Sequence, residues 1–464
     1  MLGFAQVLAY LAARGLVDLR KHTIGFELAF AGAFVLYLAA AALVLRGAAA
    51  PASTRLSLAV IVLFAILTRV ILLPTRPTLS DDMYRYVWDG RVQAHGLSPY
   101  RFPPDARELF DVRRGDSGVW RFINRKDAIT VYPPGAQLAF AAVWRMVGDS
   151  VTGYKTVFVL AELAGAALLL GMLRTLRQPP ERILLYLWSP LLVFEVAQAG
   201  HVDGLMLPLL ILAFWARLKE RPWLLGAALG AATLVKLFPA LLLPALLPLA
   251  AQGTFRERVR PAAPMLAAMA LTLLLGYLPY LLQTGTAVGY LPRYFNENFN
   301  LGLAKGLFAL APRLGWTGAN LANAVTFGGL AVLGGLFILR PAADGLAALR
   351  RCIWLVGWFT LFTQNLFPWY LLWLLPLLAV FVEPGRLLGF KLAAPTAWLL
   401  FSGTIALAYV FFVRWQVVTW AQVFEYGPLF ALLLLSAVPA ARRVSALIAP
   451  RLKASPRQAS NAKA

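Results

Sequence analysis

The chain has 464 residues, of which 60% are hydrophobic and 14% are charged, and its formal net charge is +22. Soluble globular proteins are about 45–50% apolar and about 25% charged, so this composition excludes an ordinary soluble domain. The positive charge would suggest nucleic-acid binding in a soluble protein, but Lys and Arg in the cytoplasmic loops of a membrane protein produce the same excess. We therefore expect a lipid bilayer as the partner and no nucleic acid.

Apolar runs long enough to cross a bilayer recur along the whole chain. In lipid each backbone N–H and C=O must be satisfied within its own segment, so these runs should be helices. The sequence predicts an all-α polytopic membrane protein with a bundle of about 12–13 transmembrane helices. The candidate spans are residues 27–46, 56–74, 151–173, 183–199, 203–216, 223–235, 238–251, 262–283, 319–339, 352–366, 369–382, 393–412 and 427–440.

Two apolar segments are left open at this stage. Met1 to Leu19 contains Arg14 and Asp18, and it is either an interfacial helix or a first span. Residues 135–148 are too short and too polar to span comfortably, which favours a half-helix packed against the bundle.

Clusters of Lys and Arg fall on every second loop, for example at 174–182, 217–221 and 256–260. The positive-inside rule places these loops in the cytoplasm. We therefore expect a multi-pass inner-membrane protein whose candidate site faces the non-cytoplasmic side, which is the periplasm if the source is bacterial. The predicted organisation is one membrane domain over 1–440, with extracytoplasmic loops at 75–134 and 284–318, and a basic cytoplasmic tail over 441–464 that is expected to be disordered.

The first extracytoplasmic loop begins with a predicted juxtamembrane helix. Ser80 is a suitable N-cap, and Asp81 and Asp82 follow in the first turn, where negative charge is favoured. Gly96 is expected to end this helix. The pattern allows two interpretations: a capped surface helix with an i,i+4 pair between Asp81 and Arg85, or a carboxylate held at the membrane surface as a general base. The polar residues spaced for one face of the helix are Asp82, Arg85, Tyr86 and Asp89.

Polar residues from several other segments are predicted on the same side of the membrane. Ionisable groups at membrane depth are costly and usually mark a site or pathway, although each one alone could be an interfacial anchor. Their convergence on one face favours a binding cavity. These segments contain Tyr132, His201, Asp203, Lys236, Arg293, Asn298, Trp369, Tyr370, Arg414 and Glu425.

A metal site is not expected from this residue set. His201 and Asp203 are two potential ligands without a third, and the single cysteine, Cys352, excludes both a cysteine cluster and an intramolecular disulfide. The chain also lacks a Walker motif and a nucleotide-binding glycine loop.

Five motifs, which cover residues 75–380 in order, resemble those of bacterial GT-C glycosyltransferases. The closest likeness is to the branch of polyprenol-phosphate-mannose-dependent mannosyltransferases. Two departures from that pattern are Phe367, where the family has His, and Arg125, which follows Asn124 where the family often has an Asn–His pair. The motifs are SDDMYRYVWDGRVQAHGLSPY, VYPPGAQ, AGHVDGLML, KLFPALLLP and FPWYLLWLLPLL.

The resemblance implies an inverting transferase that uses a lipid-linked sugar phosphate on the outer face of the inner membrane and needs neither metal nor cofactor. It implies that an aspartate of the first loop is the general base. Asp82 is the first choice and Asp81 is the alternative. The expected donor is a polyprenyl-phosphate hexose, with mannose as the expected sugar, and the acceptor is a glycan, a glycolipid or a protein.

Cations near the membrane surface should stabilise the charge that develops on the leaving phosphate. The candidates are Lys236, Arg293, His201 and Arg414, with Asp203 orienting His201. The predicted substrate-binding residues are Arg85, Tyr86, Asp89, Tyr132, Asp203, Asn298, Trp369 and Tyr370.

Two other classes of function remain open from the residues alone. A lipid-linked sugar transporter or flippase would place its polar groups near the bilayer midplane and often contains an internal repeat. A membrane scaffold would not need carboxylates and cations from many helices to meet.

Overall fold

The computed structural model of the chain describes residues 1–47, 54–298, 300 and 302–453, with the backbone alone for Arg414 and residues 438–453. Within these residues the secondary structure is helical apart from one short strand, β1 (Pro384–Leu387). The prediction of an all-α protein is therefore confirmed for the described part of the chain.

Eight helical segments in the described residues are long and apolar enough to cross a membrane, judged by length and composition. Large apolar side chains such as Leu43, Leu274 and Leu282 are exposed on them, as expected for surfaces that face lipid. The chain is thus a multi-pass membrane protein. The eight segments are Thr23–Leu45, Thr54–Leu72, Val151–Thr175, Phe255–Thr284, Gly318–Leu339, Gly345–Phe362, Ala394–Val413 and Thr419–Ala437.

These eight segments are fewer than the predicted 12–13 spans because several predicted spans are shorter or broken. Residues 183–199, 238–251 and 369–382 each divide into short helical pieces, two of which begin at Pro190 and Pro368. Proline lacks an N–H and clashes with the preceding turn, so it starts a helix more easily than it continues one. Hydropathy alone does not register such breaks.

The first half of the chain contains fifteen α-helices. Short 3₁₀ turns at Arg107–Leu109, Pro180–Ile183, Phe238–Leu242 and Arg260–Ala262 lie between them, with a π-helical turn at Phe194–Gln198. The helices are α1 (Leu2–Gly15), α2 (Thr23–Leu45), α3 (Thr54–Leu72), α4 (Asp82–Ala94), α5 (Phe110–Arg114), α6 (Val119–Phe122), α7 (Pro134–Val147), α8 (Val151–Thr175), α9 (Leu184–Leu187), α10 (Pro190–Val193), α11 (Asp203–Leu218), α12 (Pro222–Val235), α13 (Leu243–Leu246), α14 (Phe255–Val259) and α15 (Ala263–Thr284).

The second half adds eight α-helices. Its 3₁₀ turns are Ala311–Leu314, Pro368–Trp373 and Ile405–Val410. The helices are α16 (Leu291–Tyr294), α17 (Ala304–Leu310), α18 (Gly318–Leu339), α19 (Gly345–Phe362), α20 (Leu375–Phe381), α21 (Ala394–Thr404), α22 (Phe411–Arg414) and α23 (Thr419–Lys453). Helix α23 extends into the predicted tail, and residues 454–464 lie outside the described residues, so the disorder of the tail stays a prediction.

Helix α11 lies in the interior of the bundle. It packs between α8 and α12, and α12 packs in turn against α15. Leu207, Leu210 and Phe214 of α11 are fully buried. This packing fixes the N-terminal end of α11, where the Gly200–Asp203 segment enters the helix.

Helix α4 confirms the helix predicted after Ser80, although Asp81 takes the N-cap position. The Ser80 hydroxyl accepts a hydrogen bond from the Asp82 N–H at 3.2 Å. The anticipated pair between Asp81 and Arg85 does not form, because Arg85 binds Asp89 in the next turn at 2.7 Å. The predicted half-helix at 135–148 is also confirmed, as α7 (Pro134–Val147).

Gly90 allows α4 to approach α7 and α8 closely. A Cβ at this position would overlap the Phe140 carbonyl of α7 and the Tyr154 hydroxyl of α8. That hydroxyl donates a hydrogen bond to the Phe140 carbonyl at 2.7 Å. The absence of a side chain at Gly90 therefore sets the distance between α4, which begins with Asp82, and the bundle.

We predict that Gly90→Ala lowers the unfolding midpoint in detergent, because overpacking of this kind costs about 1–3 kcal/mol. The matched control is Gly32→Ala in α2, where a Cβ meets open space and the better helix former should be neutral or slightly stabilising. Equal unfolding midpoints for the two variants would contradict the close-approach interpretation.

Candidate active site

A cavity of about 720 Å³ opens among the ends of several helices. Eight of the sequence-predicted site residues line it, which brings both acidic and basic candidates to one place. These residues are Asp81, Asp82, Arg85, Tyr86, Tyr132, Lys236, Trp369 and Tyr370.

Asp82 stands in the first turn of α4 with its carboxylate at the cavity wall. The Asn124 side-chain amide donates a hydrogen bond to Asp82 Oδ1 at 3.2 Å. His201 Nδ1 lies 3.8 Å from Asp82 Oδ2. No Lys or Arg in the described residues forms an ion pair with this carboxylate.

Asp81, its neighbour, is held differently. Arg20, from the α1–α2 connection, donates two hydrogen bonds to the Asp81 carboxylate at 3.0 and 3.2 Å. A bidentate guanidinium occupies both oxygens of the Asp81 carboxylate. The two adjacent aspartates therefore differ in their partners.

The His201 ring is fixed on three sides. It stacks on Trp369 with ring centroids 3.9 Å apart, Nδ1 faces Asp82, and Nε2 lies 3.2 Å from Glu195 Oε2. The preceding Gly200 has φ +76°, and a Cβ there would overlap Met83 and crowd Lys155. Glycine is thus required for the chain to turn tightly into His201.

Lys236 ends α12 in extended backbone and reaches the cavity between aromatic rings. Its ammonium donates to both oxygens of Asp203, at 2.8 and 3.0 Å. Trp373 Nε1 donates a third hydrogen bond to that carboxylate at 2.7 Å. The expectation that Asp203 orients His201 is wrong: Asp203 binds Lys236, and Glu195 is the carboxylate that faces His201 on the side away from Asp82.

Arg85, which lines the cavity, forms an ion pair with Asp89 behind it. Gln137 Nε2 donates to Asp89 Oδ2 at 2.8 Å, and Arg85 also donates to the Ala128 carbonyl at 2.9 Å. Asp89 is almost fully buried and does not line the cavity. This pair connects α4 to the chain that leads into α7.

The phenol groups around Asp82 act as neutral hydrogen-bonding groups. Burial raises the pKa of Tyr86 and of Tyr132 well above the usual value, and the nearby Asp82 charge raises both pKa values further. A phenol that holds its proton so tightly is a donor or a packing group and not a base.

Six of the predicted residues are not among the residues that line the cavity. Asp89, His201 and Asp203 are buried and contact the lining residues Arg85, Asp82 and Lys236. Arg293 and Asn298 are exposed, and neither is among the residues that line the cavity. The side chain of Arg414 lies outside the described residues.

Several residues of the site were missed from the sequence. Asn124 had a partial signal, since it occupies the Asn of the family's Asn–His pair, and Glu195 is an ionisable residue in an apolar run, which is itself a functional signal. Arg20 carries no local signal, because only tertiary contacts bring it to the cavity. The missed residues that line the cavity are Arg20, Asn124, Arg125 and Tyr409. Glu425, which was expected on this side of the membrane, also lines it, and so do Tyr294, Glu297 and Asn300 from the segment that contains Arg293 and Asn298.

The first half of the chain matches a protein-family model. Residues 5–252, which are more than half of the chain and include Asp82, His201 and Lys236, match the model described as alpha-(1->6)-mannopyranosyltransferase, N-terminal domain. No curated protein matches the chain. The resemblance to polyprenol-phosphate-mannose-dependent enzymes noted from the motifs is thereby confirmed. The chain belongs to the alpha-(1->6)-mannopyranosyltransferase family, a family of polyprenyl-phosphate-mannose-dependent GT-C mannosyltransferases.

Proposed function

We propose that the protein transfers mannose from a polyprenyl-phosphate-mannose donor to a mannosyl acceptor, with inversion at the anomeric carbon and with Asp82 as the general base. The observation that supports this most strongly is the contrast between the two aspartates. Asp81 is neutralised by Arg20, whereas Asp82 faces the cavity without a Lys or Arg partner among the described residues. A carboxylate in that state is free to accept a proton.

In the proposed reaction, one bond forms at the anomeric carbon, one bond to it breaks, and one proton is transferred. Asp82 takes the proton of the acceptor hydroxyl while the oxygen forms a bond to the anomeric carbon of the mannose. The bond from that carbon to the phosphate oxygen breaks, and its electron pair stays on the polyprenyl phosphate. Because the family's description names an alpha-(1->6) linkage, the proposed acceptor group is a primary C6 hydroxyl.

Lys236 is the proposed partner of the departing phosphate. The phosphate gains negative charge as it leaves, and a fixed cation at that point lowers the barrier. Asp203 and Trp373 hold the ammonium in place, and the charge lies 4.9 Å from the centre of the Tyr370 ring. Arg293 is not part of this proposal because it does not line the cavity.

The proposed prenyl site is the apolar wall beside Lys236. This part of the cavity is formed by α18, α19 and the Phe238–Leu242 turn. An isoprenoid chain would find an apolar surface there directly next to the cation that binds its phosphate. The residues of this wall are Phe238, Leu241, Phe327 and Phe359.

The proposed orientation places this cavity on the periplasmic side. Lys236 at the end of α12 and Tyr294 beyond α15 line the cavity, while Arg221 precedes α12 and Arg260 precedes α15 at their other ends. Basic residues therefore lie at the helix ends opposite the cavity, which the positive-inside rule assigns to the cytoplasm. Residues 75–134 would then form a large extracytoplasmic loop.

We predict that Asp82→Asn lowers transfer by about 10³-fold or more, as expected for loss of a general base. The assay uses purified protein, polyprenyl-phosphate-mannose and a mannoside acceptor, with excess chelator present throughout. Asp81→Asn is the matched variant and should stay within about tenfold of the wild type, since its carboxylate is already neutralised. Near-normal turnover by Asp82→Asn would remove the assignment, and loss of wild-type transfer in chelator would contradict the metal-free reaction.

We predict that the double variant Lys236→Met/Asp203→Asn folds but loses about 10²-fold in kcat, because the phosphate loses its fixed cation. Both partners are changed because removal of Lys236 alone would leave the Asp203 charge buried and unpaired. The control is Lys305→Met, which removes an exposed lysine outside the cavity. A double variant with normal kcat would exclude Lys236 from the reaction.

We predict opposite labelling of two engineered cysteines by a membrane-impermeant maleimide. Ser117→Cys, in the segment between α5 and α6, should react in spheroplasts, and Gln252→Cys, before α14, should react only after lysis. The native Cys352 is fully buried and should give little background. The reverse pattern would place the cavity on the cytoplasmic side.

A further inference from the structure

Glu195 is a buried carboxylate that the proposed reaction does not use. It lies in the π-helical turn Phe194–Gln198, and only 1% of its surface is exposed. Single π-helical turns within helices occur frequently at functional sites. Since a buried carboxylate is costly in the membrane, its partners indicate what it does.

The contacts of Glu195 form a line that leads to Asp82. Tyr409 donates a hydrogen bond from its hydroxyl to Glu195 Oε1 at 2.8 Å. The other oxygen, Oε2, lies 3.2 Å from His201 Nε2, and His201 Nδ1 lies 3.8 Å from Asp82 Oδ2. A backbone hydrogen bond from His201 N–H to the Glu195 carbonyl at 2.8 Å fixes the two residues relative to each other.

The contact at 3.2 Å is close but is not aligned as a hydrogen bond, so His201 Nε2 and Glu195 Oε2 are both buried without a hydrogen-bond partner in the described residues. Because neither atom has another partner, their contact favours one position for the proton of His201. An ionised carboxylate is only an acceptor, so a hydrogen bond to Glu195 requires the proton to be on Nε2. In the neutral imidazole, Nδ1 then has a free lone pair directed at Asp82. Stacking on Trp369 fixes the plane of the ring.

We propose that Glu195 is a positioning residue that sets the tautomer of His201, so that His201 relieves Asp82 of the proton it has taken from the acceptor. This inference rests on the proposed role of Asp82. The proton passes from the acceptor oxygen to Asp82 and then to His201 Nδ1, which leaves Asp82 ionised and an imidazolium between two carboxylates. After the product has left, the imidazolium returns its proton to solvent through Asp82, because His201 is buried and Asp82 lines the cavity. Nothing is oxidised or reduced.

The gap of 3.8 Å between His201 and Asp82 is compatible with this role. Catalytic hydrogen bonds are often long before substrate binds and shorten in the reacting complex. The arrangement follows the logic of a catalytic triad, in which a buried carboxylate fixes the tautomer of a histidine without itself taking the proton. Here the histidine serves a carboxylate base in place of a nucleophile.

The hydrogen bond from Tyr409 makes the hypothesis testable by rescue. In Glu195→Gln the amide oxygen should stay with the Tyr409 hydroxyl, so the amide NH₂ faces His201 Nε2. His201 must then accept at Nε2 and carry its proton on Nδ1, where it cannot receive one from Asp82. Removing the Tyr409 hydroxyl lets the amide rotate and present its oxygen to His201 again.

We expect E195Q to lose about 10²-fold or more in kcat, in line with tautomer errors in triads, with a donor KM within about threefold of wild type. The double variant E195Q/Y409F should regain at least tenfold in kcat over E195Q. The matched control is E195Q/Y37F, which removes a different buried tyrosine hydroxyl, bonded to the Leu185 carbonyl, and should regain nothing.

Three results would overturn the inference: E195Q within threefold of wild type, an E195Q/Y409F no better than E195Q, or an equal gain in E195Q/Y37F. If E195Q does not fold, Glu195→Asp is the deciding variant, because its carboxylate still only accepts hydrogen bonds. We expect its kcat to stay within about tenfold of wild type. A loss of kcat as large as that of Asp82→Asn would contradict the role of Glu195. An inactive Asp82→Asn beside a normal E195Q would reject this inference alone, whereas an active Asp82→Asn would reject the proposed base and this inference together.

Discussion

A charge held away from water must have a partner, and this constraint shapes the whole cavity. Each of four cations at its wall is paired with a carboxylate. Among the described residues, Asp82 has only the Asn124 amide and the His201 imidazole beside it, which is why it is the proposed base. The four pairs are Arg20 with Asp81, Arg85 with Asp89, Arg125 with Glu297 and Lys236 with Asp203.

The residues that meet at the cavity come from places where regular helices end or break. Asp82 begins α4, Lys236 follows α12, and His201 follows a π-helical turn and a left-handed glycine. Irregular backbone at membrane depth is tolerated only where protein buries it or where it lines a polar cavity. The broken segments that lower the number of long helices are therefore the same segments that build the site.

Two charged units divide the proposed reaction between them. The Glu195–His201–Asp82 line handles the proton, and the Asp203–Lys236 pair faces the phosphate. Trp369 and Trp373, from one 3₁₀ turn, contact one unit each: Trp369 stacks on His201, and Trp373 donates to Asp203. That turn holds the two units in a fixed relation, which a reaction with separate sites for acceptor and donor requires.

The sequence by itself determined the membrane class, the juxtamembrane helix with its two aspartates, and the family, because these depend on hydropathy and on local residue order. It ranked Asp82 before Asp81 only through the likeness to the family, and it paired His201 with Asp203, its near neighbour in the chain. The actual partners were decided by the tertiary structure: Arg20 binds Asp81 across 61 residues of sequence, and Lys236 binds Asp203 across 33. Contacts of that range depend on how helices pack and turn, which no local pattern of residues specifies.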